Sequence, residues 1–366
     1  MADIKQAIQE VVQEAYKTRQ PLKIVGAGTK SFLGRETQGD ALDVSDNSGI
    51  LQYQPVELVL TARAGTPINE IQNALAENGQ MLSFEPPVFA TDATAGKATL
   101  GGTLATNLSG AARPWAGSMR DLVLGVELIN GRGELLNFGG QVMKNVAGYD
   151  VSRTQAGAMG TLGVMTQISL KVLPIPEQTL HLKLAVDQAQ AIILMNQLAG
   201  SAKPITGACW VGEHLHLRLS GAASSVESSA QQWQTQHGFS LQESAANDSE
   251  GDFWQQLNQY QHPFMQQDEK LWRFSVKSTA APIAHNGDTL IDWLGSQRWV
   301  SGEQDFNQLQ LAAEQAGGSV SMWRGGDRTD EVNHSQSSSM QALQQRLKRS
   351  FDPHNILNPG RLYSWL

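Results

Sequence analysis

Glycine recurs in this chain as ordered clusters that follow short apolar segments, and that arrangement constrains the fold more than any other feature. Gly26 and Gly28 lie in PLKIVGAGTKS, and Gly101, Gly102 and Gly110 in TAGKATLGGTLATNLSG. Further clusters run through AGSMRDLVLGVELINGRGELL and NVAGYDVSRTQAGAMGTLGVMTQISLKVLPIP. Backbone without Cβ atoms can be approached closely, so repeated glycines after strands point to a long ligand pressed against several loops. Two familiar phosphate loops do not fit the first cluster. A Walker A loop needs GxxxxGK[ST], but Lys30 is preceded by Thr29; the GxGxxG fingerprint needs glycine where Ser31 stands. Taken alone, this loop reads either as a backbone approach to a pyrophosphate or as a plain turn.

The rest of the chain supplies an α+β frame. Ile4, Ala7, Ile8, Val11, Val12 and Ala15 share one face of an amphipathic N-terminal helix, which is not the pattern of a signal peptide, so a cytoplasmic protein is expected. PLKIV, LDVSDNSGILQY and ELVLTARAG read as strands, and PINEIQNALAENG as a helix ended by Gly79. LVLGVELI and GVMTQISLKVL have the enrichment of buried sheet, and NGRG makes a tight turn. After Pro174 and Pro176 glycine thins, and strands such as TLHLKLAV, HLHLRLSG, LWRFSVKS and GSVSMWRG alternate with amphipathic helices. That pattern predicts a second α+β module built on an antiparallel sheet. A polar stretch, GGDRTDEVNHSQSSS, then leads to a last helix and a terminal segment, HNILNPGRLYSWL. The expected organisation is 1–176, 177–330 and 331–366, since 366 residues exceed one ordinary core.

Charge and cysteine narrow the function. A net charge of −8 disfavours a nucleic-acid surface, which needs Lys and Arg to displace counterions. No run approaches the ~20 apolar residues that span a bilayer. Cys209 is the only cysteine, so the chain can hold no internal disulfide and no four-thiolate iron–sulfur or zinc site. Its setting, ITGACWV, is that of a small buried hydrophobe.

The five ordered motifs GAGTK, LGGTLATN, GSMRD, GTLGV and FDPHNILNPGR together resemble the FAD-binding domain of the vanillyl-alcohol-oxidase superfamily, also called the p-cresol methylhydroxylase (PCMH) type. The resemblance covers roughly the first half of the chain and its last residues. It implies a two-subdomain FAD-binding fold over 1–176, a cap or subunit-interface domain over 177–330, and a C-terminal helix and tail at 331–366 that returns to the flavin. It further implies that Gly26, Ala27, Gly28, Thr29 and Lys30 form the first pyrophosphate loop and that Gly101, Gly102 and Asn107 belong to the second. Ser118 and Asp121 match positions near the flavin and its ribityl chain; Gly160, Gly163 and Val164 match the strand end beside the adenine; Asn358 and Arg361 match the tail at the isoalloxazine. Covalent members attach FAD through a His in the first loop or a Cys in the second. This chain has Thr29, Lys30 and Ser31 and no cysteine there, so its FAD is expected to be non-covalent.

Over the whole chain the resemblance extends to the FAD-binding subunits of glycolate oxidase complexes. It implies oxidation of glycolate to glyoxylate, with a catalytic flavin subunit and an iron–sulfur subunit as partners, and contact with the inner membrane, if any, through those partners. The alternative is a self-sufficient FAD-dependent 2-hydroxy-acid dehydrogenase. Such chemistry needs a cation for the substrate carboxylate. Arg273 in LWRFSV and Arg324 in MWRGGD are the candidates, with surface ion pairs or stacking on Trp272 or Trp323 as the competing reading. The HGDGNxH-like metal motif of catalytic relatives is matched neither by AHNGDTL nor by RGGDRTDEVNH. His214 and His216 alternate on one strand, where a half-exposed face is the expectation.

Overall fold

Hydrophobic spacing decides which faces are buried in the N-terminal half. Ile68, Ile71 and Leu75 recur at helical intervals in helix Ile68–Ala76 and are all fully buried. They pack on Leu60 and Ala62 of strand Val59–Arg63 and on Ile168 and Leu170 of strand Val164–Lys171. Each such side chain contributes about 1.5–3 kcal/mol by leaving water. The structure is a computed structural model that describes residues 4–89, 97–140, 150–242, 253–267 and 269–366. Part of the ATAGK segment and most of NVAGYD lie outside the described residues.

The chain divides into two compact units. The first comprises Met1–Leu108, Ser118–Pro174 and Asp327–Leu366; the second comprises Ser109–Gly117 and Ile175–Gly326. In the first unit, a five-stranded antiparallel sheet orders its strands Ile50–Gln54, Val59–Arg63, Val164–Lys171, Val123–Ile129 and Leu135–Gly139. A separate parallel pair joins Leu22–Val25 to Asp40–Asp43. LDVSDNSGILQY, expected as one strand, is therefore two, in different sheets. The break has a local cause: Asp43 Oδ1 accepts the Ser45 N–H at 2.8 Å, turning the backbone, and Gly49 follows at φ +116°.

The C-terminal tail completes this unit. After helix Ser338–Phe351, the chain returns to the first strand: Leu22 N–H donates to Ile356 O and Asn358 N–H to Leu22 O. A buried ion pair holds the return. Lys348 Nζ lies 2.7 Å from Asp352 Oδ2 and also donates to the carbonyls of Thr161 and Leu357. Asp352 in turn accepts the N–H groups of Ile356 and Leu357. All three ammonium protons of Lys348 and both carboxylate oxygens of Asp352 are thus engaged, which offsets the cost of burying both charges.

The second unit is built on an eight-stranded antiparallel sheet among the described residues, in the order Ser240–Gln242, Gln178–Ala185, His214–Gly221, Ile205–Val211, Thr289–Asp292, Gln297–Ser301, Leu271–Ser275 and Ser319–Arg324. Leu215, Leu217 and Leu219 turn one face toward helices Gln188–Ala199 and Ala223–His237, where Ile192, Met195, Val226 and Trp233 cover them. The opposite face is half-exposed at His214, Arg218 and Ser220, as expected, and departs from that at His216. His216 is 7% exposed, its Nδ1 lies 3.0 Å from His181 Nε2, and Phe253 stacks on its ring at 3.9 Å. Helix Phe253–Asn258 covers this face, and burial first, then the neighbouring His181, lowers the His216 pKa to about 2, keeping the ring neutral.

Removing one partner of the buried pair tests the account of the tail. Asp352→Ala is expected to destabilise the first unit by about 3–5 kcal/mol, because it strands a buried ammonium. Glu14→Gln, which removes an exposed ion pair with Lys17, is expected to change stability by no more than about 0.5 kcal/mol. Denaturant melts of the two variants make the comparison; equal midpoints would remove the tail's anchor.

Candidate functional site

A cavity of about 290 Å³ opens in the first unit where the first strand, the Gly101–Thr106 segment, the Met159–Gly163 turn and the tail meet. The strand Leu22–Val25 ends at Val25 and releases the chain into a loop of turns, with no helix before Asp40. That loop brings Gly26, Ala27, Gly28, Thr29 and Lys30 to the wall. Gly101, Gly102, Gly160, Gly163, Asn358 and Arg361 line the cavity as well. Asn107, Ser118, Asp121 and Val164 do not. Asn107 caps helix Leu100–Thr106 at φ +49°, and its Oδ1 accepts the Arg120 N–H at 3.0 Å. Ser118 and Asp121 close a capping box on each other, with Ser118 N–H and Oγ both 2.8 Å from Asp121 Oδ2. Val164 is fully buried in the core beside the first strand.

Two of the glycines also answer to close packing between the cavity's own walls, while a Cβ at Gly28 would meet nothing within 4 Å. Gly101 and Gly102 lie in the first turn of a short helix, and a Cβ on Gly101 would come within 2.9 Å of Ala64 Cβ. At Gly160, φ is +73° and an added Cβ would meet Asn358 Nδ2 at 2.7 Å. These residues let the walls of the cavity approach one another.

Asn358 ties three of those walls together. Its Oδ1 accepts the Ile24 N–H at 2.8 Å and its Nδ2 donates to Met159 O at 2.7 Å. Arg361 reaches the carbonyls of Arg35 and Ser31, both at 2.9 Å, so its charge holds the outer loop. Burial lowers its pKa from the usual arginine value. Lys30 is different. It is 8% exposed, its only hydrogen bond is to Thr29 Oγ1 at 3.4 Å, and its ammonium stands 5.8 Å from the Phe89 ring. Desolvation without a compensating anion lowers its pKa to about 8.

The sequence candidates in the second unit separate clearly. Arg273 lies among three indoles, its guanidinium carbon 5.3 Å from the Trp293 ring, 5.8 Å from Trp299 and 5.4 Å from Trp323. Arg113 approaches Trp293 at 4.3 Å. Tyr260 stacks on Trp323, and burial raises its hydroxyl pKa to about 12, so it stays protonated. Burial lowers the Arg273 pKa, partly offset by Tyr260. Arg324 instead donates to the carbonyls of Met265 and Gln267. Cys209 is fully buried, and desolvation pushes its thiol well up, away from reactivity. No helix among the described residues is long and apolar enough to cross a membrane, and no cluster of three or more His, Cys, Asp or Glu there suits a metal.

A glycine-lined cavity closed by a returning tail, on a mixed sheet-and-helix frame, defines an FAD-linked oxidase. The family described as FAD binding domain matches residues 2–139, and that of FAD linked oxidases, C-terminal domain, matches 301–362. The fold is similar to p-cresol methylhydroxylase (TM-score 0.74, 15% identity, 99% of this chain and 87% of that one) and to alkyldihydroxyacetonephosphate synthase (TM-score 0.66, 14% identity, 97% and 75%). The glycolate oxidase subunit GlcE of Escherichia coli is 40% identical over 100% of this chain and 99% of its own. The GlcD subunit of Bacillus subtilis is 32% identical over 43% of this chain and 33% of its own. The chain belongs to the GlcE family of PCMH-type, FAD-linked oxidoreductases. FAD is its cofactor.

The residues present fit that cofactor: an unneutralised ammonium and a glycine-rich wall suit an anionic dinucleotide. Asn358→Ala leaves Ile24 N–H and Met159 O without their side-chain partner, at about 1–3 kcal/mol per buried group. The variant is expected to retain less than about a tenth of the FAD of the parent after desalting. Undiminished flavin absorbance per chain would show that the tail does not shape the cavity.

Proposed function

We propose that this chain is the FAD-binding subunit of a complex that oxidises glycolate to glyoxylate and hands the electrons to an iron–sulfur partner subunit. The observation that carries the reading is the likeness to a glycolate oxidase subunit along the whole chain. The single cysteine supports it, because a four-thiolate cluster must then sit on another subunit. A second flavin subunit is the other expected partner. FAD, when bound, accepts a hydride from the alcohol carbon of a 2-hydroxy acid.

The chain's own residues supply holding and orientation. Lys30, the 26–30 loop, Gly101, Gly102, Gly160, Gly163, Asn358 and Arg361 form the flavin cavity. No His, Cys or Tyr lines it among the described residues, which supports non-covalent attachment. In the second unit Arg273 is the candidate for a substrate carboxylate: its guanidinium meets indole faces, which leave its N–H edge available, whereas Arg324 is occupied by carbonyls.

Anaerobic spectra test the reading. The purified chain is expected to be yellow and to release its flavin on acid precipitation. Glycolate is expected to bleach that flavin in the assembled complex and to leave the lone chain unchanged. Bleaching of the lone chain would instead establish the self-sufficient dehydrogenase. In the complex, Arg273→Met is expected to raise the KM for glycolate at least about tenfold with flavin content preserved; an unchanged KM would assign the carboxylate to a partner subunit.

A further inference from the structure

The cavity in the first unit has a sign of charge opposite to that of the chain. The chain carries a net −8, yet the charged residues that line the cavity are Lys23, Lys30 and Arg361, with no carboxylate among the described residues. Arg361 spends its terminal nitrogens on two carbonyl oxygens, and Lys23 is only partly buried. Lys30 is the cation with the least compensation. It is 8% exposed, its single hydrogen bond is a long one to a neighbouring hydroxyl, and the other group near its ammonium is the face of Phe89.

A buried ammonium without a counter-ion is costly, and folded chains avoid the cost by pairing the group or by letting it lose its proton. Among the described residues the protein provides Lys30 with neither carboxylate nor exposure. The formal charge of FAD near neutral pH resides on its diphosphate, the one part of the cofactor that could neutralise an ammonium. We propose that Lys30 meets the diphosphate of FAD and that flavin binding is coupled to uptake of a proton from solvent by this side chain. The inference rests on the flavin assignment of the cavity and deepens it. In the empty cavity the amine is partly neutral near pH 8; beside a phosphate anion it is held as the ammonium, so Lys–NH2 takes up one H+ as the complex forms.

The sign follows from the direction of the shift. Without FAD, the folded chain binds fewer protons at Lys30 than the unfolded chain between about pH 8 and the ordinary lysine range. The penalty for burying the charge is therefore full below that window and is relieved as pH rises through it. Bound FAD removes the depression, so proton uptake on binding rises from about pH 8 to a maximum midway to the ordinary lysine range and falls again as the bound amine itself titrates. Near pH 6.5 the side chain is already charged and uptake vanishes.

Isothermal titration of FAD into the flavin-stripped full-length chain, in buffers of different ionisation enthalpy, reads this directly. About half a proton is expected to be taken up at pH 8, about one near pH 9 and almost none at pH 6.5. Lys30→Arg, whose charge does not titrate in this range, is expected to bind FAD without uptake. Lys30→Met is expected to bind FAD at least about thirtyfold more weakly at pH 7 and, without FAD, to melt no lower than the parent. That last readout separates a lost partner for the cofactor from a lost fold. FAD binding with no buffer dependence at pH 8, or equal uptake in Lys30→Met, would overturn the proposal while leaving the flavin site intact. Failure to bind FAD at any pH, or flavin that cannot be stripped, would overturn the reversible-binding premise together with it.

Discussion

The side-chain amide of Asn358 is the contact on which the cavity depends. Its oxygen holds Ile24 in the first strand and its nitrogen holds Met159 at the turn before Gly160, so one residue near the C-terminus fixes two walls built more than a hundred residues apart. Both ends of the amide are satisfied where water is largely excluded, and there a satisfied polar group specifies one geometry and an unsatisfied one is costly. Gly160 makes the arrangement sterically feasible, because any side chain at that position would collide with the amide. Behind it, the Lys348–Asp352 pair and its backbone bonds hold the tail in register. Position of the tail and shape of the cavity are one structural fact.

Charge is the second theme. An acidic chain concentrates cations around the cavity of its first unit, and the most buried of them, Lys30, has no carboxylate beside it among the described residues. Local rules of polar satisfaction are broken there, as proteins break them at functional sites. Arg273 in the second unit follows a related logic. Three indole faces surround its guanidinium without neutralising its charge.

What the sequence revealed and what it concealed divide along the range of the interactions. The first loop, the GTLG turn and the tail were legible because strand-then-glycine patterns and N-P-G turns are local chemistry. The packing role of Gly101 is not legible: its missing Cβ also answers to Ala64, a residue of a distant segment. Asn107, Ser118 and Asp121 lie in the expected motifs, but their side chains are engaged by Arg120 and by each other; the Ser-x-x-Asp spacing is that of a capping box, while the Asn107 contact with Arg120 follows no spacing rule. LDVSDNSGILQY looked like one strand because the Asp43 turn is weak in sequence and decisive in three dimensions. His216 looked half-exposed until helix Phe253–Asn258, far along the chain, was seen to cover it. The same limit hid the placement of Ser109–Gly117 in the second unit.

Hydrogen–deuterium exchange of the full-length chain, with and without FAD, tests the central claim most directly. If flavin is held by the cavity that the tail closes, FAD should slow exchange together in the peptides covering 22–31, 99–106, 159–163 and 356–361. Slowing confined to the second unit, or to the first loop with the tail unaffected, would contradict the account.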